Sequence, residues 1–111
     1  SPFTDTVTVH GHGIYTMNDT PETITKSFII KNRLGLHARA ASLFVQLTTK
    51  YDCDILVVKN DQEVNGKSIM GILILAAAEG SEIVVKASGT DAGGALLALG
   101  NLIENKFGED E

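Results

Sequence analysis

Across residues 27–103 the spacing of the apolar residues switches back and forth between every second position and every third or fourth. That alternation leaves few folds open, because a period of two marks strands and a period near 3.6 marks helices. Residues 27–31 read as a short strand, and 32–37 as a loop. Residues 38 to about 51 carry helix formers, with a core stripe at Ala41, Phe44, Val45 and Thr48. A second strand covers 54–59, Asn60 and Asp61 make a tight turn, and 62–65 return as a third strand. Ser68 is a good N-cap for a helix over 69–78, with Ile69, Ile72 and Ala76 facing the core and Gly80 ending it. Residues 82–86 form a fourth strand. Asp91 opens a last helix with an apolar face at Ala92, Ala95, Leu96, Leu99, Leu102 and Ile103. The order β-α-β-β-α-β-α predicts an α+β fold, with one mostly antiparallel four-stranded sheet and three helices on one face.

A chain of 111 residues is one domain's worth of sequence. No apolar run approaches the roughly 18 residues of a membrane span, so membrane insertion is not expected. No basic stretch followed by an apolar one marks a signal peptide. Cys53 is the single cysteine, which excludes an internal disulfide and points to a reducing, cytoplasmic setting. The net charge of −5 belongs to the ends. Residues 26–108 hold all nine Lys and Arg against eight acids, so the body is nearly neutral. Without a basic face, without Trp and with 5% aromatics, nucleic acid is not an expected partner.

Residues 1–25 contain both prolines and read as an N-terminal extension or leader. Met17 lies inside it as a candidate natural start, which would make residues 1–16 an upstream or artificial addition. Residues 6–14 alternate enough to lie as a strand against a sheet edge. The domain is expected over 26–108, and 109–111 is an acidic tail expected to be a solvated end.

The segment Leu34-Gly35-Leu36-His37-Ala38-Arg39-Ala40-Ala41 carries the chemistry. His37 falls at the N-cap of the first helix. The backbone N–H groups of Ala38, Arg39 and Ala40 would point at a group on its ring, where the helix end favours negative charge. The Arg39 guanidinium matches phosphate oxygens. Gly35 leaves room for an incoming group. Positive surroundings disfavour imidazolium, so the ring is expected to stay neutral at cytoplasmic pH. This arrangement suits a phosphohistidine. The plain alternative is an ordinary capping histidine.

Residues 26–108 resemble HPr, the histidine-containing phosphocarrier family of the bacterial phosphoenolpyruvate:sugar phosphotransferase system. The resemblance is carried by Leu34-Gly-Leu-His-Ala-Arg39 and by Asn65-Gly-Lys-Ser-Ile-Met-Gly71. It implies an open-faced β-sandwich with His37 phosphorylated on Nδ1 and Arg39 as the phosphate partner. It further implies a group arriving from enzyme I and leaving to an EIIA-type acceptor, with no cofactor. The family usually has Pro where this chain has Ala40, a better helix former, so the helix is expected to survive. A monomer is expected.

Asn65-Gly66-Lys67-Ser68 looks like the end of a P-loop, but the glycine required five residues before Gly66 is Asp61, which excludes nucleotide binding. Ser68 is an N-cap on its own terms. The resemblance adds phosphorylation by an HPr kinase/phosphorylase, placing about −2 of charge beside a docking surface. Ser42, Ile69, Met70 and Leu73 are the docking candidates. His10 and His12 in the leader make a weak metal site, and no metal is expected. Cys53, between Asp52 and Asp54, is a poor nucleophile because carboxylates raise its pKa. Three rivals remain at this point: a nitrogen-related NPr-type carrier, a regulatory binding module controlled through Ser68, and a small-ligand-binding α+β domain.

Overall fold

The computed structural model describes residues 6–8, 14–16 and 23–109. Near the N-terminus, β1 (Thr6–Thr8) and β2 (Ile14–Thr16) pair antiparallel with each other, Thr6 opposite Thr16. The expected edge strand over 6–14 is therefore corrected: its described parts form a separate two-stranded sheet.

The domain then runs β3 (Thr23–Ile29), α1 (Ala38–Thr48), β4 (Asp54–Lys59), β5 (Gln62–Asn65), α2 (Ile69–Leu75), β6 (Glu82–Ser88) and α3 (Ala92–Glu104), with a last turn at Lys106–Gly108. The strands lie in the order β3-β6-β4-β5, and every neighbouring pair is antiparallel. Alternation along the strands puts Phe28, Ile55, Val57, Ile83, Val85 and Ala87 on one buried face. The helices cover that face with Phe44 and Val45 of α1, Ile72 and Leu75 of α2, and Leu96, Leu99 and Ile103 of α3. Ile29 and Leu56, at alternate positions, remain exposed. This is the α+β layer that the spacing predicts, and the open-faced sandwich that the resemblance implies.

Several boundaries differ, and three of them have a clear local reason. First, β3 starts at Thr23 instead of residue 27, because β6 continues to Ser88 and offers partners to Thr23, Ile24 and Thr25. Residues 23–25 thus belong to the sheet and not to the leader. Second, α1 ends at Thr48, short of residue 51. The buried Thr48 hydroxyl donates to the Gly66 carbonyl at 2.7 Å, tying the helix end to the loop before α2. Third, α2 stops at Leu75, because Ala76 turns left-handed (φ 49°). Its buried face is Ile72 and Leu75. The expected core positions Ile69 and Ala76 are exposed, because a helix of two turns lays only one short stripe on the sheet.

Leaving the helix early delivers the Ala77 carbonyl to the loop before α1, where it accepts from Leu36 N at 2.9 Å. Gly35 sits against that crossing with φ +69°, and a Cβ there would lie 2.4 Å from Ala77 O and 2.9 Å from Ala78 Cα. The expectation that Gly35 leaves room for an incoming group is corrected: the Ala77–Ala78 backbone fills the space. Gly35→Ala combines a left-handed backbone with a clash against main chain and should lower the unfolding free energy by at least about 2 kcal/mol. Urea denaturation checks this; an unchanged midpoint would contradict it.

Candidate functional site

His37 is the N-cap of α1 in extended conformation (φ −80°, ψ −177°), and its side chain makes no capping bond. The ring is therefore free to face away from the helix's own amides. The first helical bond is Ala41 N to His37 O at 2.8 Å, so the N–H groups of Ala38, Arg39 and Ala40 have no intrahelical acceptor. Ala38 and Arg39 are exposed, whereas Ala40 is fully buried. Of the three amides expected to face a phosphate, two sit on open residues. The third is enclosed because Ala40 packs into the core.

The other side of the ring is held from the far end of the chain. His37 Nε2 lies 2.5 Å from Oε2 of Glu109. Arg39 Nη1 donates to the same oxygen at 3.0 Å, and Asn32 Nδ2 donates to Oε1 at 2.9 Å. Asn32, which is fully buried, also donates to the Gly35 carbonyl at 2.8 Å, and that carbonyl accepts from His37 N as well. The Glu109 side chain is 10% exposed, that of His37 30% and that of Arg39 54%. The solvated acidic tail expected over 109–111 is thus overturned at Glu109.

The path of the chain explains its arrival. After α3, Lys106, Phe107 and Gly108 all take left-handed φ (58°, 56° and 78°), which reverses the backbone. Two non-glycine residues in that region are costly, and burial of the Phe107 ring offsets the cost. With Phe107 anchored in the core, Glu109 follows two residues later, beside α1.

Enclosure pushes the Glu109 carboxyl up. The bonds from Asn32 and His37 and the charges of His37 and Arg39 outweigh it, and the group ends below its ordinary value. A carboxylate therefore stands against the ring, where the sequence suggests only positive neighbours. Whenever the ring is neutral, this acceptor keeps the remaining proton on Nε2 and leaves the Nδ1 lone pair open. Neither Asn32 nor Glu109 is legible as a site residue: the first sits in a plain loop stretch, and the second is 72 positions from His37.

Ser68 caps α2, its Oγ accepting from Gly71 N at 3.1 Å. Lys67 Nζ donates to the Tyr51 carbonyl at 2.7 Å, so this lysine serves the fold. Ile69 and Met70 are exposed, Met70 at 67%, while Leu73 is half-buried against the core. Ser42 is half-buried and accepts from Gln46 Nε2 at 3.0 Å. Leu34, in the loop before His37, and Ile74 are further exposed apolar residues.

Cys53 is buried and its thiol is pushed up, first by burial and then by Asp91. The sequence reading assigns that role to Asp52 and Asp54, but Asp91 is the carboxylate that bonds the Asp52 and Cys53 amides. Among the described residues no group of three or more His, Cys, Asp or Glu could hold a metal; His10 and His12 lie outside them. No helix among the described residues is long and apolar enough to cross a membrane.

The family model described as "PTS HPr component phosphorylation site" matches residues 24–105. Phosphocarrier protein HPr of Neisseria meningitidis is 47% identical over 88 residues, covering 79% of this chain and 99% of the relative. The crystal structure of HPr-C-His from Thermoanaerobacter tengcongensis superposes with a TM-score of 0.77 at 45% identity, covering 79% of this chain and 99% of that one. A structure described as an HPr dimer from the same organism gives 0.64 at 49% identity, covering 74% and 94%.

Because the carboxyl of Glu109 is held below its ordinary value, its ionisation stabilises the fold above the unfolded value of about 4.3. That contribution is lost as pH falls through the depressed folded value. Glu109→Gln should be less stable than the parent near pH ~7, with the gap closing as pH drops below the usual carboxylate range. Urea midpoints across that range test it, and a gap that stays constant into acid would contradict it.

Proposed function

Since the chain belongs to the HPr family of phosphotransferase-system phosphocarriers, we propose that it accepts a phosphoryl group on His37 from phosphorylated enzyme I and passes it to an EIIA-type acceptor. The observation that carries this reading is the division of the imidazole. Nε2 is committed to Glu109, the side chain makes no capping bond, and Arg39 stands beside the ring.

On this reading the Nδ1 lone pair attacks the donor's phosphorus. The N–P bond forms, and the bond from phosphorus to the donor breaks, its electron pair leaving with the donor. The Nε2 proton stays in place, held by the Glu109 carboxylate. The phosphorylated ring then carries a positive charge facing that carboxylate, while the phosphoryl oxygens meet Arg39 and the amides of Ala38 and Arg39. When the acceptor attacks phosphorus, the leaving group is a neutral imidazole, a better one than an imidazolide. The group is thus held by positioning and charge and not by a deep covalent trap.

The exposed Ile69 and Met70, together with Ser42 and the partly covered Leu73, form the docking surface in this reading; Met adapts to more than one partner. Ser68 is the regulatory site. A phosphate on its oxygen adds about −2 of charge beside Ile69 and Met70 and disturbs an apolar interface. The buried free thiol of Cys53 supports a reducing compartment, the cytoplasm. All the side chains proposed to act on the phosphoryl group come from one chain, so a monomer suffices.

With phosphoenolpyruvate and enzyme I, the protein should take up one acid-labile phosphate, read by intact-mass spectrometry. His37→Ala should take up none, and Arg39→Ala should be slowed by at least roughly tenfold. Acid-stable phosphate on Ser68, with none on His37, would contradict the carrier reading and favour a regulatory module.

A further inference from the structure

Glu109 meets three partners, and Asn32 is the one buried in the fold. Its relative exposure is 0%, against a half-open His37 and an exposed Arg39. Both hydrogens of its amide are used, one on the Gly35 carbonyl and one on Glu109 Oε1. Both acceptors carry lone pairs, so turning the amide over would set oxygen against oxygen on both sides. The orientation is therefore dictated by the neighbours. Asn32 Oδ1 is buried and finds no hydrogen-bond partner among the described residues. An unmatched buried acceptor is unfavourable and rare. An apolar residue would avoid it, so the position is occupied for what the two donors do.

Those donors link the loop before α1 to the end of the chain. The Gly35 carbonyl belongs to the loop pinned by Leu36 N to Ala77 O, and it also accepts from His37 N. Asn32 therefore shares an acceptor with the backbone of His37 while holding the carboxylate that bonds the His37 ring. Arg39, long and exposed, cannot fix the carboxylate plane by itself. With Oε1 tied to Asn32, Oε2 is left facing Nε2.

We propose that Asn32 is a positioning residue for the phosphoryl site. It orients Glu109 so that Oε2 holds the proton on His37 Nε2 and keeps Nδ1 available as the nucleophile. The inference rests on the carrier reading for its purpose, but the geometry it asserts exists without phosphate. Asn32 touches neither the ring nor the phosphoryl group; it acts through Glu109.

The experiment is a double-mutant cycle between Asn32→Ala and Glu109→Ala on the full chain. Its first readout is the Nε2–H resonance of His37 by nitrogen-15 NMR at pH about 9, above the ordinary imidazole value of about 6.5. The parent should show a proton on Nε2 protected from exchange with water. Each single variant should lose that protection, and the double variant should look like Glu109→Ala alone. The second readout is the rate of phosphate uptake from phosphorylated enzyme I. It should fall by roughly tenfold in each single variant and no further in the double. Asn32→Ala also removes a bond to Gly35. If its effect came from the loop alone, it would persist in full on the Glu109→Ala background, and that result would overturn the proposal. Should Asn32→Ala fail to fold, Asn32→Asp keeps the shape and sets a carboxylate against Glu109; an unchanged, protected Nε2–H there would equally overturn it. An unphosphorylated His37 in the parent would sink the carrier reading instead, and leave the NMR result standing.

Discussion

One carboxylate organises the region around His37. Glu109 accepts from the imidazole, from the Arg39 guanidinium and from the buried Asn32 amide, so a single side chain joins the loop before α1, the first turn of α1 and the end of the chain. Three donors converge on two oxygens, and their combined effect outweighs the cost of enclosing the charge. The neighbouring helix end lacks carboxylates of its own, since no acidic residue lies in the first turn of α1. The balance between a positive helix terminus and one imported negative group is what lets a ring present one nitrogen and hold the other.

That convergence depends on two backbone devices well away from the ring. The left-handed exit from α2 at Ala76 brings the Ala77 carbonyl to Leu36 and presses main chain against Gly35, which sets the loop that carries Asn32 and His37. The left-handed run at Lys106–Gly108 buries Phe107 and turns Glu109 inward. Both are unfavourable locally and are maintained by packing and by main-chain hydrogen bonds. The sheet supplies the rigid floor beneath them, with β3 and β4 flanking β6 and all three helices laid on the same side.

Much of this was legible in residue spacing. The stripe Ala41, Phe44, Val45 and Thr48 is buried in α1, and Ala92, Ala95, Leu96, Leu99 and Ile103 in α3, because a helix of three turns or more shows its period plainly. The short α2 is harder, since seven residues hold too few turns to say which apolar side chains face inward; Ile69 reads both as core and as docking surface, and it is exposed. His37 and Arg39 stand out because they sit two residues apart in one segment at the start of a helix. Glu109 does not: its approach is created by the tertiary path, and an acidic residue near a chain end resembles any solvated terminus. Asn32 is hidden for a related reason. An Asn in a loop usually makes a local turn, and nothing nearby in sequence shows that its amide reaches across the fold.

The central claim is that the two ring nitrogens of His37 have separate duties, one bound to the carboxylate and one left for phosphorus. It is tested most directly on phosphorylated, nitrogen-15-labelled protein, by measuring which ring nitrogen couples to phosphorus-31. The account predicts coupling to Nδ1, with the proton retained on Nε2. Coupling to Nε2, or phosphorus on another residue altogether, would contradict it.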